Sequence, residues 1–276
     1  MPRDVPAVSR AIKILRFLAR NGEPIGVVPL ARQLKMIPST CLHIIRVLLE
    51  NGMVSFNPQT KRYTLGPGVL AFATAYSLLN PFVRLVRARL QDLSKVRDCA
   101  FAAIEGSGPE HYVVVAATDP APGLSIRLAA GSRYPLLVSA AGLCFAAFGD
   151  LTRSQLKDGF AKLRWDNAPS YSNWLKHVER TRKSGYAVDV GEYLRGITVI
   201  AVPALNDGGR MLGCLCAVGL REQMSESGLH KLIENLRSAA QSVSVELGHG
   251  TGVDESPNPV LQPATPRRSK HVQRGR

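Results

Sequence analysis

A chain of 276 residues with 45% hydrophobic content is long enough for about two domains with proper cores, which sets aside the disordered and fibrous classes. No apolar run approaches the roughly 18 residues of a membrane span, and residues 1–11 carry charge without the apolar stretch of a signal peptide. The net charge of +14 is uneven: residues 1–80 hold ten Lys/Arg against three Asp/Glu, 81–249 hold twenty against sixteen, and 250–276 hold five against two. A polyanion is therefore the expected partner of the N-terminal part.

Ser9 can cap a helix running to Ala19, with Ala11, Ile12, Leu15, Leu18 and Ala19 as its buried stripe and Arg10, Lys13, Arg16 and Arg20 outside. Asn21-Gly22 ends it. Leu30, Ala31 and Leu34 form one face of a shorter helix, and Lys35, Met36 and Ile37 make a tight link. Pro38, which has no N–H to leave unpaired, suits the first position of a third helix reaching Asn51. There Cys41, Ile44, Ile45, Leu48 and Leu49 recur at three- and four-residue steps, while Ser39, Thr40, His43, Arg46 and Glu50 occupy the other face. Two short helices with such a joint, the second polar and cationic outside, have the shape of a helix-turn-helix. An ordinary helical pair in a core has the same spacing. Residues 53–56 and 61–65 alternate around a turn at 57–60, giving a hairpin whose return strand begins Lys61-Arg62. Three helices and this hairpin compose a winged helix-turn-helix.

After Gly66-Pro67-Gly68, residues 69–79 are apolar on nearly every side and uncharged, so this helix needs a cover, either a second subunit or its own chain. Asn80-Pro81 breaks it, and residues 82–95 resume helical spacing. From Asp98 the period changes. Strands are expected at 99–104, 112–117, 124–128, 186–190, 197–205 and 211–220, and helices at 140–148 (capped by Ser139), 152–160, 172–184 and from a Ser225 cap to Leu247. The order predicts an α+β domain with one main antiparallel sheet. The expected divisions are a DNA-binding unit at 1–66, the apolar helix with the α+β domain at 67–249, and a disordered basic tail at 250–276. Five scattered cysteines (Cys41, Cys99, Cys144, Cys214, Cys216) without a CxxC spacing predict reduced, buried thiols in a cytoplasmic protein and no metal site.

With both parts laid out, the chain resembles the IclR-type family of bacterial transcription regulators over residues 5–248. The resemblance rests on Ser-Arg-Ala-Ile-Lys-Ile-Leu at 9–15, Pro-Ser-Thr-Cys at 38–41 and Tyr-Thr-Leu-Gly-Pro at 63–67. It continues at 139–142, at 184–192 (Ser-Gly-Tyr-Ala-Val-Asp-Val-Gly-Glu), at 196–203 and at 212–219. It implies a winged helix joined by a linker helix to a GAF-like (profilin-like) antiparallel-sheet domain. It also implies a homodimer or homotetramer that binds a double-stranded DNA operator and responds to a small-molecule effector, often a carboxylic or aromatic acid, with no cofactor.

On DNA, the helix from Pro38 would enter the major groove N-terminal end first. Ser39 and Thr40 suit a phosphate or base edge, and His43 and Arg46 follow on the same face. Arg46 can fork onto guanine, and Lys35, Lys61 and Arg62 suit phosphate. Many relatives carry arginine where this chain has His43, so their sequence preference does not transfer. The resemblance places the effector among Tyr134, Ala140, Ala141, Asp189, Ile197, Val199, Cys216 and Val218. The free N–H groups of the helix start suit a carboxylate, and Asp189 and Glu192 suit ligand hydroxyls. Small residues at 140–142 equally serve close helix–sheet packing. Cys216 and Val218 replace serines of some relatives and make the pocket more apolar. Ser139, Cys144, His111 and His177 are the available catalytic types, but they occur singly without a catalytic motif, so no enzyme is expected. A binder using basic charge alone is the remaining alternative, and its binding would collapse at raised salt.

Overall fold

Pro6 opens α1 (Pro6–Asn21), in a computed structural model that describes residues 5–96, 99–119, 128–224 and 226–249. The helix starts before Ser9, which is therefore not its cap, because proline at the first turn leaves no N–H unpaired. Its packing register also differs from expectation. Ile14 and Leu18 are the buried positions, facing α3 (Pro38–Glu50) and β2 (Arg62–Leu65), whereas Ile12 is 42% exposed and Ala19 is exposed. With α2 (Val27–Gln33), these helices close one small core of Ile14, Leu18, Leu30, Ala31, Cys41, Ile45, Val54 and Tyr63. Leu49, expected in the stripe of α3, lies at its edge and is 38% exposed.

β1 (Val54–Asn57) pairs antiparallel with β2, Val54 opposite Leu65 and Phe56 opposite Tyr63. The Asn57 side-chain oxygen accepts from the Gln59 and Thr60 amides, both at 3.0 Å, and so shapes the tip. Ile25 and Tyr63 exchange backbone hydrogen bonds of 3.1 and 2.8 Å, which fasten the wing to the segment before α2. Beyond the wing the chain returns against the end of α3. A Cβ on Gly66 would stand 2.2 Å from the Gly52 carbonyl oxygen, and the Gly68 amide donates to that oxygen at 2.9 Å. Only glycine permits this approach.

α4 (Val69–Leu79) then meets α5 (Pro81–Leu93) at a bend of 85°. Asn80 makes the corner, its side-chain oxygen capping α5 by accepting from the Val83 amide at 3.2 Å. No residue of α4 is buried, and Leu70, Phe72, Leu78 and Leu79 are all more than 60% exposed. Of the two covers expected for this helix, its own chain supplies none among the described residues. Among the described residues no single helix is long and apolar enough to cross a membrane; α4 and α5 pass that test only jointly, across their bend.

The second part is a six-stranded antiparallel sheet in the order β5-β4-β3-β8-β7-β6. Its strands are β3 (Ala100–Gly106), β4 (His111–Ala117), β5 (Arg133–Pro135), β6 (Ala187–Val190), β7 (Ile197–Leu205) and β8 (Met211–Leu220). Alternation along β3 serves two cores. Phe101 and Ala103 join Val83, Val86, Leu90, Leu236 and Val243 of α5 and α9 (Glu226–His249). Ala102 and Ile104 join the opposite core, with Ala140, Cys144 and Trp174 from α6 (Ser139–Phe148) and α8 (Tyr171–Ser184). α7 (Arg153–Ala161) adds Leu156 there and starts with a capping box between Thr152 and Gln155. Ser139 is not a cap: Val138 holds that position, and Ser139 is the first residue of the helix itself. β5 is too short to register as an alternating pattern. The expected Ser225 cap and the tail at 250–276 lie outside the described residues, as does the strand at 124–128 apart from Leu128. The chain is thus α+β, an N-terminal winged helix-turn-helix followed by an antiparallel-sheet domain.

Candidate DNA interface and ligand site

α3 turns Cys41 and Ile45 into the head core, and this fixes what it offers to solvent. Ser39, His43 and Arg46 are exposed and Thr40 is half-buried. The first acidic side chain of the helix is Glu50, at its last position. Val47, 57% exposed, continues the same face, and Ile37, 69% exposed, precedes it. Neither stood out in the sequence, because an apolar residue reads as core until the helix register is known. Lys35 and Lys61 are both exposed and both left-handed, with φ of 53° and 54°, one in the joint before α3 and one at the wing tip. Arg62 is engaged within the head, where its guanidinium donates to the Pro24 carbonyl at 3.4 Å.

In the sheet domain, Asp189, Val199 and Val218 are directly opposed residues on β6, β7 and β8 and so share one face. Ile197 lies two residues from Val199, and Cys216 two from Val218, on that face. α6 packs over β6, β7 and β8, bringing fully buried Ala140 and Ala141 to the same core as Val199 and Cys216. Tyr134, on the far edge strand, reaches this core through the Tyr112 ring, 5.5 Å away. The register and shared core thus gather all eight expected positions on the α6 side of the sheet.

Among the described residues, several buried polar atoms on this side lack partners: the Trp165 and Trp174 indole nitrogens and two oxygens. The Ser139 hydroxyl is one, on a residue held at φ 61°; the Asp189 Oδ2 is the other. The Asp189 Oδ1 is occupied, accepting from the Glu192 amide at 2.9 Å and from the Tyr193 amide at 3.5 Å. Asp189 therefore orients the loop with one oxygen and keeps the other. An unsatisfied buried polar group costs about 1–3 kcal/mol, and such groups persist where a partner arrives later. Glu192 is turned elsewhere. Its carboxylate faces His177 Nδ1 at 3.6 Å, and burial, its largest influence, raises its pKa. Tyr112 and Tyr193 were not among the expected residues. Burial pushes the Tyr112 phenol well above its ordinary value, with Cys216, Cys214, Tyr193 and Tyr134 as its polar neighbours. Tyr193 sits between Gly191 and Gly196, whose φ values of 75° and 77° mark the loop's turns. Cys144 and Cys216 are buried thiols, Cys216 beside Cys214 at 3.7 Å, and both are pushed toward the neutral form, Cys216 first by that contact and Cys144 first by burial. Among the described residues no group of three or more His, Cys, Asp or Glu is arranged to hold a metal ion.

Residues 7–58 match the IclR helix-turn-helix domain, and residues 80–245 match the C-terminal domain of the bacterial transcriptional regulator IclR. The chain is 28% identical over 255 residues to the glycerol operon regulatory protein of Streptomyces coelicolor, covering 91% of this chain and 99% of that one. Its fold is similar to that of an IclR transcriptional regulator from Alicyclobacillus acidocaldarius, with a TM-score of 0.77, 23% identity and coverage of 88% and 99% of the two chains. It is also similar in fold to an IclR homologue from Microbacterium hydrocarbonoxydans in complex with 4-hydroxybenzoate, with a TM-score of 0.72, 16% identity and coverage of 87% and 98%. With both family domains matched in order on a winged head and an antiparallel-sheet domain, the chain belongs to the IclR family of bacterial transcriptional regulators.

Proposed function

We propose that this regulator acts in the cytoplasm as a homodimer or homotetramer, binding a double-stranded operator with an affinity set by a small organic or aromatic acid. Residues 1–66 are the DNA-binding unit and 67–249 the linker and ligand-binding unit. The observation that carries the reading is the outer face of α3: Ser39, His43, Arg46 and Val47 stand in solvent on a helix whose other side is locked into the head core. Arg46 forks onto a guanine, Val47 suits a thymine methyl, and Lys35 and Lys61 hold phosphates. The uncovered apolar face of α4 is met by α4 of a second copy, which sets two heads about one turn of DNA apart.

The ligand's carboxylate lies at the start of α6, and its hydroxyl donates to the Asp189 Oδ2. The homologue crystallised with 4-hydroxybenzoate, which has both groups, supports this class. The apolar wall of Val199, Cys216 and Val218 favours a ring over a short keto acid. The test is a duplex selected from random sequence by the wild-type protein. Arg46→Ala and His43→Ala should weaken its binding, Arg46→Ala by about 1–3 kcal/mol with relaxed preference at one base pair. Unchanged recognition in both variants would remove α3 as the reading element. A thermal-shift screen of aromatic and aliphatic acids tests the ligand class, because a ligand bound only by the folded state raises Tm.

A further inference from the structure

α4 is jointed at both ends. At its start, Gly66 and Gly68 lie against the carbonyl of Gly52, just past the end of the recognition helix α3. At its end, three side chains close on one another across the bend. The Tyr76 hydroxyl donates to the Glu105 carboxylate, and the Asn80 amide donates to both Glu105 oxygens, at 3.2 and 3.0 Å, and to the Tyr76 oxygen at 3.3 Å. The other end of the Asn80 side chain caps α5. Burial, then the hydrogen bond and charge of Glu105, hold the Tyr76 phenol well above its usual pKa, so it remains a donor at every physiological pH. Across the same bend, Arg87 donates to the Ser77 hydroxyl at 3.0 Å.

Glu105 is the last residue but one of β3, the strand paired with β8. On β3, Ala100 opposes Val218 and Ala102 opposes Cys216, two of the expected ligand positions. The register of β3 against β4 shifts between Ala103 and Ile104, where β4 carries the extra residue, Val115, close to the Glu105 end of the pair. A bulge bends the strand that carries it, here the neighbour of β3. Beside the corner, a cavity of 580 Å³ is lined by Tyr76, Ser77, Arg87, Glu105 and Val113.

We propose that Tyr76, Asn80 and Glu105 form a latch that holds the linker helix at a fixed angle to the ligand-binding sheet, and that ligand binding acts on the heads by loading or releasing it. This rests on the ligand-responsive operator reading above. Glu105 is the positioning residue: it touches neither DNA nor the ligand positions, and it sets the direction of the helix that carries the head. Packed elements switch between discrete arrangements, so a three-residue clasp at a hinge is enough to define one of them.

The test uses the full chain with Tyr76→Phe, Glu105→Gln and the double variant. Asn80 is left intact because α5 needs its cap. Without DNA or ligand, each single variant should speed amide exchange across residues 69–79 by about tenfold, the scale of a local opening, while Tm and oligomeric state stay as in wild type. The double variant should be no faster than the worse single one, because both remove the same interaction. Unchanged exchange at 69–79, or additive effects with a lowered Tm, would overturn the latch. On the selected duplex, the variants should bind about fivefold more weakly than wild type, near the low end of ordinary coupling, with binding to unrelated duplex unchanged. Equal loss on both duplexes, or none on either, would overturn its role in setting the heads. A wild-type protein that selects no sequence would instead sink the operator reading, and the exchange result would still decide the latch.

Discussion

Ser139 is held with φ at 61° and its hydroxyl is buried without a partner, two costs in one residue at the head of α6. A left-handed non-glycine residue costs about 1–2 kcal/mol, and glycine takes the same backbone without that cost. Ser139→Gly should therefore raise stability by about 1 kcal/mol in denaturant unfolding while weakening the bound acid. If ligand affinity survives intact, the hydroxyl does not touch the ligand. Glu192 makes a second prediction, with a sign fixed by linkage. Burial raises its pKa above the ordinary 4.5, against a smaller opposing pull from His177. A carboxyl with a raised folded pKa binds its proton more tightly in the folded state. It favours the fold at low pH and withdraws that support as pH climbs through 4.5 to the raised value. The stability of wild type relative to Glu192→Gln should fall across that window. A constant difference in Tm across a pH series would mean that Glu192 titrates as it does in the unfolded chain.

At the scale of elements, α3 and α4 were legible because their periodicity is local: the bounds expected for the apolar linker helix, 69–79, match Val69–Leu79. α3 starts at Pro38 for the same local reason. α1 was misregistered because Ser9 looks like a cap until Pro6 is given its place. The expected ligand positions came from resemblance and not from pattern, since cross-strand pairs such as Asp189 with Val199 are long-range facts about register. The strain at Ser139 and the latch at Glu105 were invisible for that reason too. Gly142 shows how closely α6 is fitted. A Cβ there would stand 2.0 Å from the Leu137 carbonyl carbon, which is backbone and cannot swing aside. Gly142→Ala should cost about 3 kcal/mol, the upper range of overpacking, and should lower Tm and ligand affinity together. A neutral substitution would show that α6 can ride outward from the sheet. Small residues at 140–142 thus serve packing at Gly142, and the ligand reading concentrates on Ser139, Ala140 and Ala141.

The whole molecule joins a cationic head to a nearly balanced sheet domain, and the charge distribution makes the number of heads on DNA measurable. The ten basic and three acidic residues of 1–80 include Lys35 and Lys61, both exposed. Each phosphate neutralised by a protein cation releases condensed counterions, and log K falls with log salt at a slope of about −0.9 per contact. Lys61 sits at the wing tip with φ 54°, so the substitution must tolerate a left-handed backbone, and asparagine does. Lys61→Asn should flatten the salt slope by about 0.9 if one head binds and by about 1.8 if two bind together. The larger value requires a second copy, and α4, with Leu70, Phe72, Leu78 and Leu79 in solvent, is the surface that would recruit it. Introducing Leu70→Gln and Phe72→Ser into the same protein should then bring the change down to the one-head value, because the substitutions leave the head core untouched while removing the apolar contact that pairs the heads. A change near 1.8 that survives those substitutions would place the pairing surface elsewhere.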